Sequence, residues 1–385
     1  MDYRQIRLRG GTLHEKISRK FHKLLPHVNK ANGDSKNRVM FYFFKNVHIP
    51  ILIPLYVKLK QSHPEVEICF GYKSYAPKIR AGFSTEELKV LRSYGEKMYI
   101  NPSHAEARVT FVADAVYDWV FGCGKIVNVG HGILSKGQYY LDTELARREE
   151  RADLVCVPGQ YHKEALQGVI TTPVMVTGMA KLDNLFNGSI SRSDVEKSIG
   201  LQGSNRKYIL FAPTFNEELS AIPFVKEDIA DIIPEENFSL IIKLHGSTKN
   251  EYVVMYEELA KRDDRIILVR DLDLTPLIIL ADIMISDVSS AIMEFASKDK
   301  PLVLFNSPRQ KTYQNYNENS IEYKFRDLGI EVNDLNGIKE AVERSILNPL
   351  EFSSKRIEYT NLLIANKSKA DACANIIEES LQRFL

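Results

Sequence analysis

No stretch of this sequence is long and apolar enough to cross a bilayer. Its longest apolar run, residues 49–57, contains Pro50 and Pro54 and falls far short of the roughly 20 residues a membrane-spanning helix needs. The opening Met1-Asp2-Tyr3-Arg4 is polar and lacks the apolar core of a secretory signal, so a cytoplasmic chain is expected. Cysteine is scarce: Cys69, Cys123, Cys156 and Cys373 are scattered and form no CxxC pair. That excludes a zinc ribbon or a disulfide scaffold and suits a reducing compartment. Neither a GxGxxG nor a Walker loop occurs, and no His/Cys/Asp/Glu group has metal-ligand spacing. No cofactor and no metal are therefore expected. A charge excess is missing too, with 51 Lys+Arg against 50 Asp+Glu, which argues against nucleic acid as a partner. What remains is an ordinary globular composition, 385 residues with 44% hydrophobic and 26% charged, enough for two domains.

Neutrality holds only on average. Residues 1–30 carry Arg4, Arg7, Arg9, Lys16, Arg19, Lys20, Lys23 and Lys30 against Asp2 and Glu15. Ile17, Phe21, Leu24 and Leu25 fall at helical spacing, so the expected arm, 1–32, has an apolar face and a basic one. Such a helix suits an anionic membrane surface, or it docks on the protein's own surface with its lysines in water.

Beyond the arm, short apolar runs alternate with amphipathic stretches. Strands are expected at 39–44, 66–70, 98–100, 109–112, 126–129, 154–157 and 174–176, with helices such as 51–61 and 141–150 between them. Compact apolar strands separated by helices imply a parallel sheet covered on both faces. Asn187-Gly188-Ser189 marks a break, and Ser193 with Glu196 three residues on reads as a capping box. The alternation then restarts, with strands at 208–211, 240–243, 266–269, 283–285 and 302–305 and helices near 252–261, 275–280, 289–297 and 337–347. The predicted fold is α/β: two Rossmann-like domains facing a cleft, 33–188 and 189–350, followed by a helical tail, 351–385.

Ligands of such sheets bind beyond the carboxyl ends of the strands, and four strand-end loops carry suggestive residues. In Val129-Gly130-His131-Gly132, followed by Lys136, the glycines permit close backbone approach and leave an imidazole suited to general-base work. Thr177-Gly178-Met179-Ala180-Lys181-Leu182-Asp183 offers Lys181 to a phosphate, with Asp183 capping the next helix or orienting the lysine. Ala212-Pro213-Thr214-Phe215-Asn216 and Lys243-Leu244-His245-Gly246-Ser247 follow strands expected to be neighbours, which brings Thr214 and His245 to one edge. There His245 is suited to donating to a diphosphate. Finally, Ser286-Asp287-Val288-Ser289-Ser290 runs into a helix bearing Glu294. Paired serines at a helix start favour an anion, and Glu294, one turn on, is placed to reach ribose hydroxyls. Simple N-capping explains one serine but not the pair. Asp271-Leu272-Asp273 resembles a DxD metal site, yet it precedes Leu274-Thr275-Pro276, where acidic residues suit a helix N-terminus.

Taken in order, these residues resemble the bacterial CDP-glycerol glycerophosphotransferases, which prime or polymerise teichoic acids and related capsule polymers. The family pattern is HG with a basic stretch, GxP(R/K)xD, APT, KLHP, and DYSS entering a helix that ends before KP. This chain has His131-Gly132, Gly178 with Lys181 and Asp183, Ala212-Pro213-Thr214, Lys243-Leu244-His245, and Asp287 with Ser289-Ser290. It departs with Ile133-Leu134 for Thr-Pro, Gly246 for proline and Val288 for tyrosine. The resemblance spans residues 125–305, and the first 120 residues match no family motif.

The resemblance implies a GT-B-like architecture, with the donor in the second domain, the acceptor in the first and a final helix bracing the first domain. It implies transfer of glycerol phosphate or ribitol phosphate from a CDP-linked donor to a lipid-linked glycan or polymer, at the inner face of the cell membrane. His131 would be the base. His245, Ser289, Ser290, Thr214, Lys181 and Asp287 would serve the donor's phosphates, with Glu294 on the ribose. Gly132, Lys136, Asn216, Ser247 and Asp183 stand in the second rank. Two alternatives are a nucleotide-sugar glycosyltransferase or epimerase of similar build, and a non-catalytic scaffold of a polymer-synthesis complex.

Overall fold

The computed structural model describes residues 37–73, 75–76, 81–102, 107–114, 116, 120, 123–130, 132–134, 139–201, 206–234, 237–270 and 273–385. The expected basic arm, His131 and Lys136 lie outside these residues.

Along the chain come β1 (Arg38–Phe43), β2 (Glu67–Tyr72), a hairpin of β3 (Tyr75–Ala76) and β4 (Ala81–Gly82), β5 (Lys97–Ile100), β6 (Val109–Val112), β7 (Lys125–Asn128), β8 (Leu154–Val157) and β9 (Val174–Val176). All but the hairpin form a seven-stranded parallel sheet in the order β5-β2-β1-β6-β7-β8-β9. A second sheet of six parallel strands has β10 (Lys207–Phe211), β11 (Phe238–Lys243), β12 (Ile266–Val269), β13 (Ile283–Ser286), β14 (Leu302–Phe305) and β15 (Ile330–Val332), ordered β12-β11-β10-β13-β14-β15. Strand order reverses between β1 and β6 in the first sheet and between β10 and β13 in the second. At such switch points crevices open beyond the carboxyl ends.

Central strands are apolar on both faces because helices cover both. Phe41 and Phe43 of β1 pack with Leu52, Leu55 and Leu59 of the helix Ile49–Ser62, while Tyr42 packs on the opposite face with Val112 and Val155. In the second sheet Ile209 and Phe211 meet Leu240 and Ile242 on one face. The other face shares a core with Ile133, Leu134, Met179 and Leu182 of the first unit. An apolar seam thus joins the two units.

Several elements differ from expectation. β15 is an addition to the expected strands: Glu331 interrupts Ile330 and Val332, so the segment does not read as an apolar run. The helix expected at 141–150 is an α-turn, Glu144–Arg147, followed by a 3-10 turn, Arg148–Arg151. The capping box begins two residues early: Ser191 accepts from Asp194 N and Asp194 returns the bond, since aspartate serves at that position as glutamate does. The tail is two helices, Ser353–Leu363 and Ala372–Phe384. The second packs its Cys373, Ile376 and Ile377 against the first sheet's core.

Candidate active site

The loop on either side of residue 131 is clamped at every described position. Gly130 N donates to Asn128 Oδ1 at 3.0 Å, and Tyr140 Oη donates to Gly132 O at 3.0 Å. His162, fully buried, holds Ile133 O through Nε2 at 2.9 Å, and burial depresses its pKa to about 4, so the ring is neutral at pH 7. From the second unit, Ser290 Oγ accepts from Leu134 N at 3.1 Å and donates to Leu134 O at 2.9 Å. A Cβ on Gly132 would lie 2.7 Å from that hydroxyl, so only glycine permits this approach. Asn128, Tyr140 and His162 escaped the sequence analysis because nothing local marks a side chain that supports a loop from another strand or helix. The carboxamide of Asn128 also donates to Glu149, whose carboxyl is 4% exposed and is pushed by desolvation up to about 8, with Asp114 adding to the effect.

At the second sheet's switch point the architecture is set by Asp287. Its carboxylate accepts from Thr214 N at 3.0 Å, Ala221 N at 3.2 Å and Val288 N at 2.7 Å, and its main-chain carbonyl accepts from Arg326 at 2.8 Å. Expected as a phosphate contact, Asp287 is instead fully buried and ties the β10 and β13 loops together. A carboxylate committed to three N–H groups is the wrong charge for a phosphate. Thr214, 2% exposed, belongs to the same buttress. Asn216 folds its own turn, with Oδ1 accepting from Glu218 N at 3.0 Å.

His245 follows β11 and is partly exposed. Its Nδ1 accepts from Ser247 N at 3.0 Å, which leaves the proton of the neutral ring on Nε2. The ring lies 4.5 Å from that of Phe215. Ser247 therefore acts through its backbone. A Cβ on neighbouring Gly246 would stand 3.2 Å from Asn46 Nδ2, in the loop after β1, so this histidine's loop also borders the first unit.

The paired serines divide their work. Ser289 Oγ accepts from Ala291 N at 3.3 Å, a turn that leads into the six-residue helix Ala291–Ala296, whose N-cap position is Ser290. Ser290, expected to present its hydroxyl to the donor, is engaged with Leu134. Glu294, expected to face ribose, is 2% exposed and paired with Lys181 of the first unit. Burial raises its pKa, and the Lys181 ammonium draws it back. Asp183 caps no adjacent helix. It accepts from Ala372 N at 3.0 Å and Cys373 N at 2.8 Å, anchoring the start of the final helix. Asp273 Oδ1 accepts from Thr275 N at 2.9 Å, a helix-start role as expected. Among the described residues no group of His, Cys, Asp and Glu is arranged to hold a metal ion, and no helix is long and apolar enough to cross a membrane.

Two parallel α/β units meeting at their carboxyl edges, with strand-end loops from both interlocked there, define a two-domain GT-B-like protein. The chain belongs to the CDP-glycerol:poly(glycerophosphate) glycerophosphotransferase family, whose model matches residues 54–361. Among curated relatives, the teichoic acid glycerol-phosphate primase of Bacillus subtilis is 32% identical over 127 residues, 32% of this chain and 31% of that protein. The teichoic acid ribitol-phosphate polymerase TarK of Staphylococcus aureus is 27% identical over 154 residues, 38% and 29% of the two chains. The matched segments thus span about a third of each relative. In fold, the chain is similar to the wall teichoic acid polymerase TagF, with a TM-score of 0.70 at 13% identity, covering 95% of this chain and 94% of the other.

Proposed function

We propose that this chain transfers a polyol phosphate (glycerol phosphate or ribitol phosphate) from a CDP-linked donor to an acceptor hydroxyl on a growing teichoic acid-type polymer, releasing CMP. The observation that carries this reading is the family match over residues 54–361, which covers both sheets except β1 and the loop after it. In the proposed step the acceptor oxygen attacks the phosphorus that bears the polyol. The bond from that phosphorus to the CMP oxygen breaks, and the acceptor proton passes to His131. The fixed Nε2–H of His245 donates to a diphosphate oxygen as charge grows on the leaving CMP. Ser289 and Lys181 would add further contacts to the donor's phosphates. Positioning and electrostatics supply most of phosphoryl-transfer catalysis.

The reading is tested by supplying CDP-glycerol or CDP-ribitol with a poly(glycerol phosphate) oligomer and following CMP release and oligomer growth. Growth matched mole for mole by CMP is expected. Consumption of UDP-sugars instead, or no turnover of either CDP-polyol, overturns it. For location, the basic arm at 1–32 supports peripheral contact with an anionic inner membrane face. Co-sedimentation with phosphatidylglycerol vesicles, lost when Lys16, Arg19, Lys20 and Lys23 become Glu, is the expected result.

A further inference from the structure

The first sheet has its own switch point, between β1 and β6, and its residues are unlike ordinary loop residues. Lys45, two residues past β1, pairs with Asp114, two residues past β6. The Asp114 side chain is 1% exposed and the lysine's 23%, so the carboxylate is sealed while the lysine side chain keeps some surface in solvent. Asp114 holds φ at +123°, a region that favours glycine and that a residue with a Cβ adopts only under constraint. His48, fully buried against Phe44, has Nε2 3.7 Å from the same carboxylate. Lys73, directly after β2, stands at the same sheet edge.

This cluster lies between the two histidine loops. Asn46, the residue after Lys45, is the one that approaches Gly246 beside His245. On the other side Asp114 lines a cavity of about 20 Å³ with Asn128, Gly130, Gly132 and Glu149. That volume has room for one water molecule, and the two glycines flank residue 131.

We propose that Lys45, held in place by Asp114, binds a phosphate of the acceptor, and so sets the acceptor's terminal hydroxyl between the two histidine loops. The inference rests on the transferase reading above and gives the acceptor chemistry: a polyol chain with an anionic phosphodiester one unit back from its reactive end. Lysine suits this task as a compact point charge. Asp114 is a positioning residue, fixing the ammonium without touching substrate. Burial lowers the pKa of His48, which disfavours a charged imidazolium beside Asp114.

The test compares the intact chain with Lys45→Gln, Lys45→Arg and the double variant Lys45→Gln/Asp114→Asn, which removes both charges yet keeps a hydrogen bond. Binding of a poly(glycerol phosphate) oligomer is measured without donor. Turnover is measured with that oligomer and with a neutral glycerol-terminated glycoside. A lost charge-assisted hydrogen bond predicts roughly ten- to hundredfold weaker oligomer binding for Lys45→Gln and for the double variant. Lys45→Arg should regain most of it, and CDP-glycerol affinity and use of the neutral acceptor should stay within about twofold, well inside that loss. Equal oligomer binding by the intact chain and Lys45→Gln overturns the proposal, as does equal loss with charged and neutral acceptors. Failure of the transferase reading itself appears separately, as no CDP-polyol turnover with either acceptor while the oligomer-binding comparison still decides the lysine's role.

Discussion

The Ser290 hydroxyl both accepts from and donates to the backbone of Leu134, at 3.1 and 2.9 Å. One side chain of the second unit thereby fixes the register of a loop in the first. Leu134 lies three residues beyond His131 in the sequence, so the donor-side helix start is tied to the segment that carries the proposed base.

Ser290→Ala should therefore affect chemistry more than donor affinity. Misplacing a catalytic loop by a fraction of an ångström predicts a roughly ten- to hundredfold fall in kcat, with CDP-glycerol binding nearly unchanged by calorimetry. A dominant loss of donor affinity would return Ser290 to direct phosphate contact.

Gly132→Ala should be as damaging, because its Cβ would lie 2.7 Å from Ser290 Oγ. Combining it with Ser290→Ala removes the obstructing oxygen. The double variant should be more active than the sum of two independent losses predicts, and simple additivity in a double-mutant cycle would refute the steric account.

Lys181→Met should destabilise by about 3–5 kcal/mol, the usual cost of stranding one member of a buried pair. Without its partner Glu294 binds a proton more readily, and protonation relieves the buried charge. Chemical denaturation should show a smaller loss at pH 5 than at pH 8.

Glu149 makes stability fall as pH rises. The unfolded chain releases this proton near 4.5 and the folded chain only near 8, so each step of pH between these values favours unfolding. His162, ordinarily near 6.5 and depressed to about 4, acts in the opposite sense below 6.5. Between 6.5 and 8 His162 no longer contributes. Lys300 and Lys367, depressed by burial to about 8, act in the opposite sense as pH nears 8, so the comparison with Glu149→Gln across this window is what singles out the carboxyl. Thermal melts there should decline for the wild type and flatten for Glu149→Gln, and parallel curves would remove the carboxyl from this role.

Much of the architecture was legible in the chain. Strands buried on both faces, such as β1 and β6, read as short apolar runs, and their spacing by helices implied two parallel sheets. The strand-end motifs ordered themselves into a family pattern because each lies within a few consecutive residues. Partners were a different matter. Ser290 reads as a phosphate ligand because serines at helix starts face anions, yet its oxygen is taken by Leu134. Glu294 reads as a ribose ligand, yet Lys181 reaches it from the other unit. Asp183 caps a helix that begins 189 residues later.

Sequence alone determined the class of fold, the order of its elements and the loops that face the cleft, since these follow from periodicity and from chemistry carried by neighbouring residues. Tertiary structure alone decided which polar groups point outward and which hold loops together. A buried carboxylate or hydroxyl takes whichever donor the packing brings to it, and packing joins residues that are remote along the chain. Lys45 and Asp114, 69 positions apart, became a pair only when β1 and β6 were laid side by side.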